Sequence, residues 1–208
     1  VQNEDELIDA FYEALCYSPS KTLIHETFIQ GILVTVDGFC FKNGHQSLTV
    51  ASREFTGGKK PVTKNIIYPG RFSNELKKRL LRNHESVVDA LGYSYGHTHG
   101  EYLVTEEEEI HLVECANRGG GVYTSSVINP LLTNLNLNKI LLDQSLGEDK
   151  FEMTKIESGL MTKSIMLTFL DFEEGKVIKS LNLKEMLDLP YTVRYRSIYG
   201  KNDMVEGI

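Results

Sequence analysis

The chain has 208 residues, of which 41% are hydrophobic and 25% are charged, which is an ordinary composition for a globular protein. Its formal net charge is -7, and this acidic balance argues against a general nucleic-acid binder, which would usually be basic. The sequence has no run of about 18 apolar residues, so it predicts no membrane-spanning helix.

The first half of the chain predicts a helix, three β-strands, a loop and a second helix. Asn3 can cap the first helix, in which apolar residues recur at spacings of three, four and seven. Ser73 can cap the second helix, and Gly92 closes it. Asn43-Gly44 is typical of a hairpin turn. The predicted strands are residues 22–29, 32–41 and 47–52, and the predicted loop is residues 56–70.

The second half predicts a β-hairpin, a glycine loop, a helix pair and several shorter elements. The hairpin and the glycine loop occupy residues 97–121, and helices follow at 123–132 and 134–146. Because hairpins dominate and strands do not alternate with helices as in a parallel sheet, the predicted class is α+β. The remaining predictions are strands at 164–172, 176–181 and 192–198 and a short helix at 184–188.

The three cysteines are scattered along the chain and form no Cys-x-x-Cys pair. An odd, scattered set of this kind indicates reduced thiols, which predicts a cytoplasmic protein. The first residue is Val1 rather than Met, and the last residues carry no evident end of a fold. We therefore expect the chain to be an excerpt of a longer protein, with a processed product as the alternative.

Four consecutive glutamates, residues 106–109, predict the turn of the hairpin and thereby its pairing. The numbers of facing residues then add up to 215, so Glu101 faces Glu114 and Leu103 faces Leu112. Facing Cβ atoms lie roughly 5 Å apart, and two carboxylates at that distance repel unless a cation lies between them or one is protonated. Leu103 and Leu112 would form an apolar floor beside them. The alternative is that both glutamates face solvent and oppose each other by chance.

Glu114 is followed by Arg118 and three glycines, residues 119–121. An arginine can pair with phosphate oxygens, and a glycine backbone can approach them closely. Magnesium prefers carboxylate and phosphate oxygens and takes only one or two protein carboxylates. The pattern therefore favours a site for Mg²⁺ and phosphate at Glu101 and Glu114.

The hairpin sequence resembles the metal-binding hairpin of ATP-grasp enzymes, over the stretch GHTHGEYLVTEEEEIHLVECANRGGG. By this resemblance Glu101 and Glu114 match the two Mg²⁺ ligands, and Arg118 matches the arginine that contacts the transferred phosphate, as the catalytic residue. Leu103 would contact the bound ATP. The family pattern has an Asn at the position of Ala116, so the third metal ligand is not matched.

A second stretch, TLIHETFIQG, resembles the ATP-grasp hinge, the segment whose backbone hydrogen-bonds the adenine edge. The resemblance implies that Glu26, Thr27 and Ile29 bind the nucleotide. Such binding needs extended backbone with free N–H and C=O groups between apolar side chains. Leu33 stands where the family often has an acidic ribose ligand. The alternative for this stretch is a plain core strand.

The resemblance covers residues 1–146, which would form the C-terminal subdomain of an ATP-grasp domain whose lid precedes Val1. Residues 147–208 are similar to the small C-terminal α+β lobe of the family subgroup that is related to carbamoyl-phosphate synthase and to amino-acid ligases. The implied fold is an antiparallel sheet flanked by helices, plus part of that lobe.

The function implied by the resemblance is that of an ATP-dependent ligase, which forms an acyl phosphate from a carboxylate and couples it to an amine or similar nucleophile. Its cofactors would be ATP and Mg²⁺, and its partners would be small-molecule carboxylate and amine substrates, with no nucleic acid and no membrane. A homodimer stays open. The chain alone is expected to be inactive because the lid is missing.

Two alternatives remain from the sequence. A nucleotide-binding module without catalysis would agree with Ala116 and Leu33, which replace polar ligands of the family. A metallophosphoesterase-type hydrolase is suggested by the sequence GHTH and by the Asn-His-Glu of residues 83–85, although the Asp-x-His motif of that chemistry is missing. His97 and His99 could also bind zinc, since they share a predicted face with Glu101.

Overall fold

The computed structural model describes residues 1, 3–57, 62–148, 151 and 163–206. Its strands are β1 (Ile32–Phe41), β2 (Gly44–Phe55), β3 (Thr63–Tyr68), β4 (Gly96–Val104), β5 (Ile110–Ala116) and β6 (Ile165–Thr168). Its helices are α1 (Glu4–Tyr17), α2 (Asn74–Leu91), α3 (Asn129–Thr133), α4 (Leu137–Ser145) and α5 (Leu183–Asp188), and a π-helical turn (Thr124–Ile128) precedes α3. The six strands pair antiparallel in the order β5-β4-β1-β2-β3-β6. The predicted α+β class is therefore confirmed.

Helix α2 covers one face of the sheet, and its ends follow from local chemistry. Ser73 accepts a hydrogen bond from the N–H of Leu76 at 3.1 Å, and Gly92 ends the helix in the left-handed region at φ 68°. Between α2 and the sheet lies a buried apolar cluster, which consists of Val34, Val36, Val50, Leu76, Leu80, Leu81, Tyr102 and Val104. Burying each large apolar side chain contributes about 1.5–3 kcal/mol, so this cluster holds the helix against the sheet.

The opposite face of the sheet is apolar at two places and polar between them. Helix α4 packs on Phe39, Phe41 and Leu48 at one place. The π-helical turn and α3 pack on Ala51, Ile66 and Tyr68 at the other. Since side chains alternate along a strand, the polar residues of β1 and β4 with odd numbers lie on this same face.

The predicted elements around the sheet are largely confirmed. The first helix begins after Asn3, which accepts a hydrogen bond from the N–H of Glu6 at 2.9 Å. The strand at 32–41, the hairpin turn at Asn43-Gly44, the helix after Ser73 and the hairpin β4–β5 are all present. The short helix at 184–188 corresponds to α5.

Three predicted strands are wrong, and one strand was missed. Residues 22–29 lie outside the sheet with Ile24 and Phe28 exposed, because an apolar run forms a strand only where a neighbour completes its ladder. Residues 176–181 contribute only the isolated bridge between Val177 and Met204, and residues 192–198 form no strand. The predicted loop at 56–70 contains β3, which completes its ladders between β2 and β6.

The last part of the described chain joins the main sheet through one strand. Strand β6 pairs with β3, with Ile67 opposite Met166, so a strand from residues 147–208 extends the sheet of residues 1–146. The division of the chain at residue 146 stays a prediction.

All three cysteines are free. Within the described ranges, the structure holds no helix long and apolar enough to cross a membrane.

Candidate functional site

The hairpin β4–β5 brings Glu101 and Glu114 directly opposite each other. The prediction of this facing pair is confirmed, as is that of His99 opposite Ala116. These residues lie on the face of the sheet that α2 does not cover, because they share the parity of Thr35 on β1, the partner of Glu101.

The predicted pairing nearer the turn is wrong. Leu103 lies opposite His111, and Leu112 lies opposite Tyr102, because the register shifts between Glu101 and Tyr102. One extra residue on β5 forms a β-bulge, which displaces all later pairs by one position. Leu112 is half-exposed, so it does not form an apolar floor with Leu103.

Each carboxylate of the facing pair has its own cationic partner. Arg53 Nη2 lies 2.5 Å from Glu101 Oε1, and the Glu101 side chain is 19% exposed. Arg118 Nη2 lies 3.6 Å from Glu114 Oε1, and the Glu114 side chain is 52% exposed. The two glutamates therefore differ in burial, and the repulsion expected between them is offset by the two arginines.

The interaction with His99 is the largest cause that lowers the pKa of Glu101 below its usual value; burial opposes this shift and Arg53 adds to it. His99 Nε2 lies 3.6 Å from Glu101 Oε1. On its other side, His99 Nδ1 donates to Asp37 Oδ1 at 2.7 Å. A continuous chain of contacts thus runs from Asp37 through His99 to Glu101 and Arg53.

The Asp37–His99 pair is the most deeply buried part of this chain of contacts. The side chains of Asp37 and His99 are 1% and 7% exposed. Burial disfavours the charged imidazole, but the hydrogen bonds to Asp37 and Glu101 and the charges of both carboxylates outweigh it and raise the pKa of His99 to about 9. With its pKa raised to about 9, His99 carries a hydrogen on both nitrogens at neutral pH; Nδ1 donates to Asp37, and Nε2 faces Glu101 Oε1 at 3.6 Å as an ion-pair contact. Asp37 Oδ2 is buried and has no hydrogen-bond partner among the described residues.

The glycine loop covers this pair with its backbone. A Cβ on Gly120 would lie 2.8 Å from Asp37 Oδ1 and 2.9 Å from His99 Nδ1, so only glycine fits there. The residues after the loop, Val122 and Tyr123, have φ of 46° and 67°, which is a strained conformation for non-glycine residues. Backbone strain of this kind occurs at functional sites, where the surrounding structure compensates it.

Asn117, the residue nearest to the missing family Asn, is engaged in the hairpin itself. Its Nδ2 donates to the backbone oxygens of Tyr95 at 2.7 Å and His97 at 2.8 Å. These bonds hold the end of β5 to the start of β4. They fix the orientation of the Asn117 amide through Nδ2 and do not involve Oδ1, the amide atom that could bind a metal ion.

The residues predicted to bind the nucleotide lie in two places. Glu26 and Thr27 are exposed and Ile29 is partly buried, in the irregular segment between α1 and β1. Leu103 is partly buried on β4, two residues from Glu101 and opposite Leu33 of β1. A Cβ on Gly31 would lie 2.7 Å from the backbone oxygen of Val104, so the irregular segment ends against β4.

The histidine of the Asn-His-Glu sequence lies on the other face of the sheet. His84 is fully buried in α2, with Nδ1 2.8 Å from the Tyr102 hydroxyl and Nε2 3.0 Å from Thr98 Oγ1. Thr98 Oγ1 is also 2.9 Å from His45 Nε2. Burial lowers the pKa of His84 to about 3 and that of His45 to about 4. His84 is thus a neutral core residue, and it shares no site with His99.

Two members of the site, Asp37 and Arg53, were missed in the sequence. Asp37 had a usable signal, because it is the one charged residue in the apolar run of β1. Arg53 had none, since it reaches Glu101 only through the pairing of β1 with both β2 and β4. The part of the chain that the structure describes contains no group of three or more His, Cys, Asp or Glu side chains able to hold a metal ion.

Similar folds occur among solved structures of known proteins. No curated protein matches the chain. Among solved structures, L-amino acid ligase from Bacillus licheniformis matches with a TM-score of 0.79 at 16% identity, over 100% of this chain and 51% of that one. Biotin carboxylase in a β,γ-ATP complex from Campylobacter jejuni matches with a TM-score of 0.69 at 15% identity, over 85% of this chain and 39% of that one.

A third solved structure contains a bound nucleotide and a metal salt. It is the biotin carboxylase domain dimer of Hydrogenobacter thermophilus 2-oxoglutarate carboxylase, in complex with MgADP, ADP and bicarbonate. It has a TM-score of 0.60 at 14% identity, over 76% of this chain and 34% of that one. The chain spans about half or less of the length of these three proteins, and at such identities they share its fold. The family model of the ATP-grasp domain matches residues 1–126, more than half of the chain, and the chain therefore belongs to the ATP-grasp family.

Proposed function

We propose that the protein containing this chain is an ATP-dependent ligase of the ADP-forming carboxylate–amine type, related in its chemistry to carbamoyl-phosphate synthase. The observation that carries the proposal is the facing pair Glu101 and Glu114, with Arg118 and the glycine loop directly after it. The similar structures include an amino acid ligase and a carboxylase solved with a nucleotide, which supports the same class of reaction.

The donor set of the hairpin fits Mg²⁺. Glu101 and Glu114 supply two hard carboxylates on facing positions, and magnesium takes one or two of these together with waters and substrate phosphates. Both contacts of Glu101 to cationic side chains involve Oε1, which leaves Oε2 for a metal ion. When bound, Mg²⁺ would offset the negative charge that builds up on the phosphates during transfer.

Arg118 is the residue we propose to act on the transferred group. Its side chain is 58% exposed and lies 3.6 Å from Glu114, so it can turn to a phosphoryl oxygen while staying near that carboxylate. Charge-assisted hydrogen bonds from its guanidinium would stabilise the developing negative charge. The glycine loop beside it lets the backbone approach the phosphates.

The reaction needs no covalent nucleophile on the protein. A carboxylate oxygen of the substrate attacks the terminal phosphorus of ATP, the bond to the bridging oxygen breaks, and ADP leaves. The amine then attacks the carbonyl carbon of the acyl phosphate, loses a proton to solvent or a base, and inorganic phosphate leaves. The protein positions the reactants and excludes water, which is the main source of catalysis in such transfers.

For the adenine we propose the hinge segment with Glu26, Thr27 and Ile29. These residues lie outside the strands, so their N–H and C=O groups are not used in the sheet ladder. Leu103 would provide an apolar contact on β4. Small-molecule carboxylate and amine substrates complete the proposal, in a cytoplasmic enzyme that can form a homodimer.

A nucleotide-binding module without catalysis is the second candidate. The observation that favours it is Ala116, which stands at the position of the family Asn and supplies no polar side chain to the site. Such a module would bind ATP and Mg²⁺ at the same carboxylates but would release no ADP.

The test measures ADP release by the full-length protein with a panel of carboxylates and amines. In the ligase, Glu114→Gln removes most of the activity, because glutamine keeps the size but loses the charge that holds Mg²⁺. Arg118→Ala lowers kcat by roughly 100-fold or more and affects the affinity for ATP less. Glu107→Gln, the same exchange in the exposed turn of the hairpin, is the matched control and leaves the activity unchanged.

Two outcomes would contradict the proposal. Unchanged ADP release by Glu114→Gln would remove the hairpin from the chemistry. Absence of substrate-dependent ADP release in the unmodified protein, together with nucleotide affinity that Glu114→Gln lowers, would favour the binding module.

A further inference from the structure

The two cationic partners of Glu101 approach the same oxygen of its carboxylate. Arg53 Nη2 and His99 Nε2 lie 2.5 Å and 3.6 Å from Oε1, and neither contact involves Oε2. A carboxylate held by one oxygen from two directions cannot rotate freely. Its second oxygen therefore has a fixed direction, which is what a metal ligand requires.

His99 can hold Glu101 only if its own ring is fixed, and Asp37 does this. The bond of 2.7 Å from His99 Nδ1 to Asp37 Oδ1 joins β4 to β1 at directly paired positions. Both side chains are nearly inaccessible, and Gly120 closes the space above them. The imidazole therefore has one orientation, with Nε2 on the side of Glu101.

A buried carboxylate is costly, so its presence at Asp37 requires an explanation. An isolated buried charge is destabilising unless it is paired and hydrogen-bonded, and Asp37 Oδ2 has no partner among the described residues. Replacing a buried ion pair by apolar residues is often neutral or stabilising. Stability alone thus does not account for a charged pair at this place, whereas orientation of Glu101 does.

We propose that Asp37 is a positioning residue that acts through His99, and that this pair together with Arg53 holds Glu101 with Oε2 directed to Mg²⁺. The inference rests on the proposed function, since it assumes that Glu101 is a metal ligand. It adds Asp37 of β1 and Arg53 of β2 to the site, which otherwise consists of residues of the hairpin β4–β5 and the glycine loop.

The experiment measures the affinity of the full-length protein for Mn²⁺ in the presence of ADP, by the loss of the electron paramagnetic resonance signal of free Mn²⁺. Asp37→Asn keeps the shape but converts a charge-assisted hydrogen bond into a neutral one. His99→Asn removes the imidazole. Each variant raises the Kd of Mn²⁺ by about 10–100-fold, as is typical when the partner of a metal ligand is lost.

A double variant tests whether Asp37 acts through His99. If it does, Asp37→Asn has no further effect on Mn²⁺ affinity once His99 is already asparagine, so the two changes are not additive. Additive losses would show two independent effects and overturn the inference. His111→Asn, at the half-exposed histidine of the same hairpin, is the matched control and keeps the affinity of the unmodified protein.

Glu101→Gln distinguishes failure of the positioning role from failure of the metal site. If this variant loses Mn²⁺ affinity while Asp37→Asn and His99→Asn keep it, the positioning role is wrong and the metal site stands. If Glu101→Gln also binds Mn²⁺ as before, the proposed metal site is wrong as well. Circular dichroism confirms the fold of each variant, and if Asp37→Asn does not fold, unchanged Mn²⁺ affinity of His99→Asn still overturns the inference.

Discussion

His84 makes the native chain sensitive to acid because it is buried as a neutral imidazole. Burial lowers its pKa to about 3, with smaller effects of His45 and His99, whereas an unfolded chain binds the proton near pH 6.5. Below pH 6.5 the unfolded state therefore holds more protons than the native state. The contribution of His84 to stability is complete above pH 6.5 and is lost as the pH falls toward 3.

The magnitude follows from the shift. Each pH unit between the two pKa values costs about 1.4 kcal/mol, so His84 alone lowers the free energy of unfolding by about 2 kcal/mol between pH 8 and pH 5. His99 acts in the opposite direction: its raised pKa of about 9 gives stability that is complete below pH 6.5 and is lost as the pH rises through 9. The two effects are of similar size over this range, and the lowered pKa of His45 adds to that of His84, so the total stability does not isolate any one of them.

The measurement must therefore compare variants. Urea unfolding of the unmodified chain and of His84→Gln, at several pH values from 8 to 5, gives a difference that contains the His84 titration. His84→Gln is less stable at pH 8 by about 1–3 kcal/mol, because its bonds to Tyr102 and Thr98 are disturbed. This deficit shrinks by about 2 kcal/mol at pH 5.

Tyr102→Phe is the control, since it removes one hydrogen-bond partner but keeps the imidazole. It lowers the stability at all pH values, with a slope that still contains the His84 titration. If the curves of His84→Gln and the unmodified chain stay parallel from pH 8 to pH 5, His84 does not titrate as a buried neutral group and the argument fails.

Two further predictions concern single positions of the fold. Gly120→Ala brings a Cβ to 2.8 Å from Asp37 Oδ1 and lowers the free energy of unfolding in urea by roughly 1–3 kcal/mol. Gly121→Ala is the control and changes the free energy of unfolding little, because a Cβ there would meet nothing within 4 Å. Equal effects of the two substitutions would refute the close contact at Gly120. Ser73→Ala removes the cap of α2 and lowers the stability measured by thermal unfolding by about 1 kcal/mol. The same change at the exposed Ser86 of that helix alters the stability by no more than about 0.5 kcal/mol. A loss at Ser73 no larger than that at Ser86 would argue against the cap.

The hairpin shows how far sequence patterns reach. The acidic turn predicted Glu101 opposite Glu114 correctly, although the turn itself starts one residue earlier, with Val104 paired to Ile110. The β-bulge between these pairs restores the predicted register. The early turn and the missed bulge each shift the pairing by one residue in opposite directions, so the two errors cancel at the glutamates. The bulge was missed because an alternating pattern contains no signal for a feature that depends on local twist.

The support of the site could not be predicted because it depends on three strands at once. Arg53 is 48 positions from Glu101, and only the joint pairing of β1 with β2 and β4 brings them together. Helix α2 was more predictable, since Ser73 and Gly92 mark its two ends by local chemistry. Residues 22–29 failed for the same reason as Arg53: whether an apolar run becomes a strand depends on a neighbour that the pattern does not contain.

The two glutamates belong to strands of unequal resistance to opening. Strand β4 is bonded on both sides, whereas β5 is the outer strand and, among the described strands, is bonded to β4 alone. Local opening reaches such outer strands at a lower free energy than inner ones, so amide hydrogens of β5 exchange with solvent sooner than those of β4. Glu114 therefore lies on the strand that opens more readily, and Glu101 on the strand that opens less readily. A ligand that bridges the two carboxylates would slow the exchange of β5 in particular.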